Sequence, residues 1–279
     1  MFAFALYDIK NETLFMARDK WGIKPLYYAK FNDTFMFASE IKALLAHPDF
    51  NKELNESIIS SYLCFNSCVT TQTFFKGVFR LEPGHTLTYK NDSINIEKYF
   101  QIDITPKEQD ENKIIEDIKT AMKDSVEHHQ ISDVEVGSFL SSGIDSSYLV
   151  SLGKPDKTYT VGYDNPKYDE IAYAKDLTNK LGISNTSKKI TKEEYINNFD
   201  RIMYYMDEPL ADPSAIALYF VAEIASKDVK VVFSGEGADE FFGGYGTYLE
   251  DISQSWYMKI PYFIRHAAAM IAKKLPDVR

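Results

Sequence analysis

One short segment combines small residues, hydroxyls and a carboxylate in a spacing suited to binding a phosphorylated ligand. Residues 141–147, Ser-Ser-Gly-Ile-Asp-Ser-Ser, directly follow a buried-looking run at 137–140. Small residues leave backbone N–H groups accessible, hydroxyls add donors, and the positive end of a following helix favours phosphate or pyrophosphate. Asp145 would repel bare phosphate, but it suits a Mg²⁺ ion that bridges carboxylate and phosphate oxygens. The alternative is a turn in which Asp145 and Ser146 only cap a helix.

A second segment places three carboxylates among glycines. Residues 234–240, Ser-Gly-Glu-Gly-Ala-Asp-Glu, follow a valine-rich run at 229–233. Glycines cost conformational entropy and add no packing, so their density here favours a ligand site. Asp239 would complement Asp145 as a second Mg²⁺ ligand, and Glu236 would act on a substrate as a base or a positioning group. The alternative is a solvated acidic turn.

Strands and helices alternate through the part of the chain that carries both segments. Strand-like runs occupy 134–140, 158–161 and 229–233, and a helix over 170–181 ends at Gly182. Further helices are predicted over 114–126, from Ser146, and from Asp212, with Pro213 in the first turn. Such alternation predicts parallel strands covered by helices, a doubly wound α/β domain. Ligands in such sheets bind beyond the carboxyl ends of the strands.

The first hundred residues differ, because they consist of short strands with turn residues between them. Alternating residues at 2–6, a turn at 11–12 and a run at 13–17 predict a hairpin. Further strands are predicted at 26–29, 35–38 and 86–89, with short helices at 39–45 and 57–63. The polar segment 101–112, which contains Pro106, is typical of a linker. The predicted domains are therefore residues 1–100 and 113–279.

Composition and charge exclude several classes of protein. The 279-residue chain has 31 Lys and Arg against 41 Asp and Glu, a net charge of -10, which argues against binding to nucleic acids or anionic membranes. Two cysteines form no disulfide framework, and no apolar run approaches the length of a membrane span. The N-terminus has no signal-peptide pattern. We expect a cytoplasmic protein.

The two segments and several others resemble the glutamine-hydrolysing asparagine synthetase family. Residues 140–147 are similar to its pyrophosphate loop, 233–245 to its second signature, and 206–214 to a third family segment. In the first half, residues 1–8, 17–28 and 37–44 are similar too. The resemblance implies an ATP pyrophosphatase domain preceded by a partial, mostly antiparallel N-terminal-nucleophile glutaminase domain of the α+β class. Ser142 replaces the glycine more usual in the loop, a small-for-small change.

The resemblance also implies an activity and roles for particular residues. The family uses ATP to convert aspartate to β-aspartyl-AMP, which ammonia from glutamine then attacks. Asp145 and Asp239 match metal ligands, and Glu236 matches the residue tied to forming the acyl-adenylate. ATP, aspartate and glutamine-derived ammonia are thus the expected partners, with Mg²⁺ as the cofactor, and a homo-oligomer is compatible with the family. Candidate nucleotide-binding residues are Phe139, Ser141, Gly143, Asp145, Ser146, Val161, Ser234, Gly235 and Tyr245.

Two departures from the family lead to further expectations. The family's glutaminase cysteine directly follows the initiator methionine, but here Phe2 follows Met1 and the first cysteine is Cys64. The helical region that carries a catalytic lysine in the family would lie beyond Arg279. We therefore expect a family member truncated at both ends that does not hydrolyse glutamine, which release of glutamate above background would contradict. The alternatives are a non-catalytic ATP-binding remnant and a related amidotransferase or a β-lactam-forming or peptide-cyclising synthetase.

Overall fold

A computed structural model of the chain describes residues 1–165, 169–209, 211–253 and 255–272. The chain forms two compact units. The first contains Met1–Thr120, Val161–Asp169 and Lys188–Ile224, and the second contains Ala121–Thr160, Glu170–Ser187 and the described residues from Ala225 on. In the described part of the chain, no helix is both long enough and apolar enough to cross a lipid bilayer.

Antiparallel strands build most of the first unit. One sheet has the order β1-β2-β6-β7 and the other β4-β3-β5. Strands β1 and β2 pair from Ala3 opposite Arg18 to Asp8 opposite Thr13, which confirms the predicted hairpin. The strands are β1 (Ala3–Asp8), β2 (Thr13–Arg18), β3 (Tyr27–Phe31), β4 (Thr34–Ala38), β5 (Val78–Arg80), β6 (His85–Lys90) and β7 (Ser93–Lys98).

The two sheets bury apolar side chains because their residues alternate between faces. Met16 on β2 and Leu87 on β6 lie opposite each other and are fully buried, each contributing about 1.5–3 kcal/mol. They pack with Leu26, Tyr28 and Leu81. The helical elements in this part are α1 (Ile41–Leu44), a 3₁₀ turn (Glu56–Ile58), α2 (Ile59–Phe65) and the start of α3 (Glu111–His129).

Two longer helices complete the first unit. Helix α6 (Lys192–Met206) begins with a capping box, in which Thr191 Oγ1 accepts the Glu194 N–H and the Glu194 carboxylate accepts the Thr191 N–H. Helix α7 (Ser214–Ala225) begins next to Asp212, whose carboxylate accepts the Ser214 N–H at 2.8 Å. Asp212 therefore stabilises the start of this helix, as the sequence predicts.

A further sheet, with parallel pairing, has most of its residues in the second unit, and two of its strands end in residues of the first unit. Its strand order is β10-β9-β8-β11, and β8 pairs in parallel with both β9 and β11. Helix α5 ends at Gly182, which has the left-handed conformation that the sequence predicts. The mixed α/β class with a parallel sheet is confirmed. The elements are β8 (Val136–Phe139), α4 (Ile144–Gly153), β9 (Lys157–Tyr163), α5 (Ile171–Leu181), β10 (Ser184–Ile190) and β11 (Val231–Phe233).

Close packing in this unit explains why a strand interior carries glycine. A Cβ on Gly137 would lie 2.8 Å from the Tyr159 ring, so only glycine fits between β8 and its neighbours. Leu140 and Val150 pack with Ala174 in the core between β8, α4 and α5. The remaining described helices are α8 (Ala238–Phe242), α9 (Gly246–Ser253), α10 (Ser255–Met258) and α11 (Tyr262–Ala272).

Some element boundaries differ from the sequence predictions. Helix α4 begins at Ile144 instead of Ser146, because the Gly143 carbonyl already accepts the Ser147 N–H at 3.2 Å. The short helix predicted from residue 57 starts as a 3₁₀ turn. Strands β5, β7 and β10 and helices α6, α8, α9 and α10 are additions to the prediction. The division into domains 1–100 and 113–279 stays a prediction.

Candidate functional site

The segment that follows β8 is held in shape by its own hydroxyl groups. Ser141 N–H donates to Ser146 Oγ at 3.1 Å, and the Oγ atoms of Ser141 and Ser146 are 2.8 Å apart. Gly143 N–H donates to Ser141 Oγ at 3.1 Å. These bonds fold residues 141–146 back onto the first turn of α4. The loop is therefore organised by hydrogen bonds within this part of the chain.

The start of α4 offers donors to an anion. The first N–H groups of an α-helix have no carbonyl partner within the helix, and together they carry a partial positive charge. Gly143 precedes this ten-residue helix as its N-cap, is exposed, and makes no side-chain cap. Asp145 lies in the first turn and is exposed. This geometry suits a phosphate group with a cation beside it.

The second signature lies directly against this loop. Strand β11 pairs with β8 in parallel, so the carboxyl ends of the two strands are neighbours. A Cβ added to Gly235 would lie 3.2 Å from both Asp145 Cβ and the Ser146 backbone nitrogen. Ser138 also joins the strands, since its hydroxyl donates to the Phe233 carbonyl at 3.1 Å. The structure thus brings together two segments that are almost ninety residues apart.

Asp239 is held close to the glycines that follow it. It occupies the first turn of α8, a five-residue helix that starts after Gly237, whose φ is +89°. Gly244 N–H donates to the Asp239 carbonyl at 3.0 Å. A Cβ on Gly244 would collide with the Asp239 carboxylate, so glycine is required at this approach. Glu236 is exposed beside this turn.

Tyr245 contacts a carboxylate instead of being free. Its hydroxyl donates to Glu240 Oε1 at 2.8 Å. That hydrogen bond, with some desolvation and the negative charge of Glu240, raises the pKa of Tyr245 to about 12. The Tyr245 hydroxyl is therefore protonated at physiological pH and acts as a hydrogen-bond donor.

Two predicted nucleotide-binding residues lie in strands. Phe139 is half-buried at the end of β8, next to the loop. Val161, in contrast, belongs to the first compact unit, where it packs against buried Ile190, Ile202, Ile216 and Phe220. Its role in nucleotide binding remains a prediction.

Sequence reasoning missed two side chains that contact the loop. Ser142 Oγ donates to Glu170 Oε1 at 2.8 Å, and Ser147 Oγ donates to the Tyr173 hydroxyl at 3.4 Å. Glu170 precedes α5 and Tyr173 lies in its first turn. The sequence carried no signal for these contacts, because Ser142 is exposed and water could satisfy its hydroxyl equally well.

The charges of the loops suit a divalent cation. In the described part of the chain, Asp145, Glu236 and Asp239 make no ion pair with a basic side chain. No group of three or more His, Cys, Asp or Glu side chains that could hold a metal occurs among the described residues. Mg²⁺ is commonly held by one or two carboxylates together with substrate phosphates and water. Asp145 and Asp239 are carboxylates of the kind that this chemistry uses, and their role as Mg²⁺ ligands stays a prediction.

The fold defines a class of protein with a parallel α/β sheet and an antiparallel region. The family model for asparagine synthase matches residues 117–277, and the model for a glutamine amidotransferase domain matches residues 1–100. Because the first match spans more than half of the sequence, the chain belongs to the asparagine synthase family. The resemblance stated from the motifs is confirmed.

Curated relatives agree with this assignment. The chain is 41% identical over 282 residues to asparagine synthetase [glutamine-hydrolyzing] 1 of Bacillus subtilis, covering 99% of this chain and 44% of the relative. It is 36% identical over 289 residues to a putative asparagine synthetase of Mycobacterium bovis, again covering 99% and 44%. The chain thus spans less than half the length of these relatives.

Among solved structures, the ammonia-dependent NAD synthetase of Campylobacter jejuni is similar over 50% of this chain and 62% of that chain. The sequence identity is 19% and the TM-score is 0.32. Superposition at this level is partial.

Proposed function

We propose that this chain carries the nucleotide-binding and acyl-activating part of an asparagine synthetase. The proposed reaction is the ATP-dependent amidation of aspartate through β-aspartyl-AMP, with ammonia derived from glutamine. The observation that carries the proposal is the contact of Gly235 with Asp145 and Ser146. This contact joins the pyrophosphate-loop motif to the second family signature at the carboxyl ends of paired parallel strands, where α/β sheets bind ligands.

The chain supplies donors for the triphosphate of ATP. The first N–H groups of α4 and the hydroxyls of Ser141 and Ser146 would donate hydrogen bonds to phosphate oxygens. Because Ser141 and Ser146 already fix the loop through their mutual hydrogen bond, little conformational entropy would be lost on binding. Asp145 and Asp239 would hold Mg²⁺, which neutralises charge on the leaving pyrophosphate.

The reaction balances without a covalent bond to the protein. An aspartate carboxylate oxygen bonds to the α-phosphorus of ATP, and the bond from that phosphorus to the bridging oxygen breaks and releases pyrophosphate. Ammonia then bonds to the acyl carbon, the bond from that carbon to the oxygen it shares with phosphorus breaks, AMP leaves with that oxygen, and one proton is lost. Glu236, an exposed residue that lies between Gly235 and Asp239 in the sequence, is the residue we assign to positioning the acyl group or receiving that proton.

Exchange of labelled pyrophosphate into ATP tests this function. The exchange requires reversible acyl-adenylate formation, so it should depend on aspartate and should fall strongly in Glu236→Gln. A matched control is Asp133→Asn, since Asp133 is an exposed carboxylate that precedes β8, at the other end of that strand from Asp145.

The outcomes separate the candidate functions. Binding of Mg-ATP together with aspartate-dependent exchange supports the synthetase. Binding of Mg-ATP without exchange overturns it and favours a nucleotide-binding remnant. Exchange that depends on a different acyl substrate favours a related synthetase.

A further inference from the structure

The end of α6 has an unusual backbone conformation. Asp207 follows the last residue of the helix with φ +62° and ψ −37°. L-residues other than glycine rarely adopt positive φ, and such conformations persist only where the surroundings enforce them. Asp207 must therefore gain enough from its contacts to offset this cost.

The Asp207 carboxylate caps a helix that is far away in sequence. Its oxygens accept the Ile41 N–H at 2.7 Å and the Lys42 N–H at 3.2 Å, and they lie 2.9 Å from the Lys42 ammonium. Ile41 and Lys42 begin α1, whose own N-cap residue, Glu40, makes no side-chain cap. The Asp207 side chain is only 7% exposed. The orphan donors of α1 are thus satisfied from the end of α6.

The next residue makes a second set of contacts with another segment. Glu208 Oε2 accepts from the Arg80 guanidinium at 2.6 Å, and Glu208 Oε1 accepts the Phe74 N–H at 3.0 Å. The Cys68 thiol donates to Glu208 Oε1 at 3.5 Å. Burial first, and then the negative charge of Glu208, raise the pKa of Cys68 to about 11, which keeps this donor protonated.

These contacts link the two family regions inside the first compact unit. Their donors lie in residues 41–80, within the amidotransferase match, and both acceptors lie within the asparagine synthase match. Each carboxylate has its own cation, so neither negative charge is buried without compensation. Ala211 N–H adds a bond to the Asn66 carbonyl at 3.4 Å.

We propose that Asp207 and Glu208 are positioning residues that clamp the end of α6 to the amidotransferase-like region. We call these two residues and their partners the carboxylate clamp. The clamp fixes where the segment from residue 207 onward leaves α6. The functional consequence of the clamp rests on the proposed function, because transfer of ammonia from one family region to the other requires that the two keep a fixed relative position.

Hydrogen–deuterium exchange of the 279-residue chain tests the clamp. In Asp207→Ala, exchange at Ile41 and Lys42 should become at least about tenfold faster, because their acceptor is lost. In Glu208→Ala, which removes the acceptor oxygen of the Phe74 N–H, the same increase should appear at Phe74. Asp207→Gly removes the carboxylate and also the cost of positive φ, so it should still speed exchange at residues 41 and 42. The matched control is Asp200→Asn, at an exposed position on the same helix.

Thiol chemistry supplies a readout that a general loss of packing would not reproduce. In a Cys64→Ser background, alkylation of Cys68 should shift to lower pH in Glu208→Gln but stay unchanged in Asp207→Ala. The cause is that only Glu208 places a negative charge beside this thiol. Arg80→Lys, which keeps a cation beside Glu208, should retain much of the protection of the Phe74 amide from hydrogen exchange that Arg80→Met loses.

The clamp is overturned if the Ile41 and Lys42 amides exchange as slowly in Asp207→Gly as in the parent. It is also overturned if the pH dependence of Cys68 alkylation is the same in Glu208→Gln as in the parent. Mg-ATP affinity should stay within about twofold in all clamp variants. A parent chain that fails to bind Mg-ATP but shows the expected exchange pattern contradicts the proposed function and leaves the clamp supported.

Discussion

Two pairs of carboxylates in this chain have opposite surroundings. Asp207 and Glu208 have side chains 7% and 9% exposed, and each is bound by a cation and by backbone N–H groups. Asp145 is exposed and Asp239 half-buried, and neither pairs with a basic side chain in the described part of the chain. Buried charges persist in proteins when they are paired. The first pair therefore holds structure, and the second is free to bind a ligand.

Removing a clamp carboxylate should produce the largest effect. Glu208→Ala leaves the Arg80 guanidinium without its partner, so the free energy of unfolding should fall by about 2–4 kcal/mol. Asp145→Ala should lower it by less than about 0.5 kcal/mol, since that side chain is exposed. Urea denaturation measures both changes. Equal losses in the two variants would remove the distinction between the pairs.

For the affinity of Mg-ATP we expect the reverse order, with a larger effect at Asp145 than at the clamp carboxylates. Asp145→Ala should weaken Mg-ATP binding by at least about tenfold, 1.4 kcal/mol, because a metal ligand is lost beside the triphosphate. Titration calorimetry with Asp133→Asn as the control checks this. Unchanged affinity in Asp145→Ala would count against the metal assignment.

The contact between the two signatures can be tested with one methyl group. A Cβ at Gly235 would lie 3.2 Å from Asp145 Cβ and the Ser146 nitrogen, so the loop would have to shift by a few tenths of an ångström. Gly235→Ala should weaken Mg-ATP binding by about three- to tenfold. Gly246→Ala is the matched control, since no atom lies within 4 Å of a Cβ there. Equal affinities in the two variants would contradict the proposed loop geometry.

The smallest expected effect concerns the pH dependence of Tyr245. Its pKa is raised to about 12, so its contribution to stability should be complete below the unfolded value near 10 and lost as pH rises towards 12. In Glu240→Gln the folded-state pKa of Tyr245 should fall back towards the unfolded value, so this pH-dependent loss should become smaller. NMR of tyrosine labelled with ¹³C at Cζ, assigned with Tyr245→Phe, measures the ionisation. A titration that does not respond to Glu240→Gln would refute the assigned cause.

Local pattern accounts for much of the agreement between prediction and structure. The hairpin of β1 and β2 follows from alternation and a turn, and the end of α5 at Gly182 follows from the conformational freedom of glycine. Strand β10 was missed because Ser184–Ile190 is mostly polar and lacks the apolar run typical of a buried strand. Helix α6 was missed although its capping box, Thr191 with Glu194, is readable in the sequence.

In the candidate site, too, local motifs were readable from the sequence, whereas contacts with distant residues were not. The small residues and hydroxyls next to one carboxylate predicted a pyrophosphate loop, which stays a prediction, and the family assignment from the motifs is confirmed. The partners of Ser142 and Ser147 were not identified, because Glu170 and Tyr173 approach from another helix. Sequence spacing does not report contacts across a sheet.

The sequence by itself determined the family, the parallel α/β character of the second half and the hairpin at the start. These features depend on residues close together along the chain, where steric preference and hydrophobic period are decisive. Only the tertiary structure decided that Gly235 lies against Asp145 and that Asp207 caps α1 from 166 residues away. Such contacts arise when packing brings distant segments together, and which carboxylates become buried and paired depends on that packing.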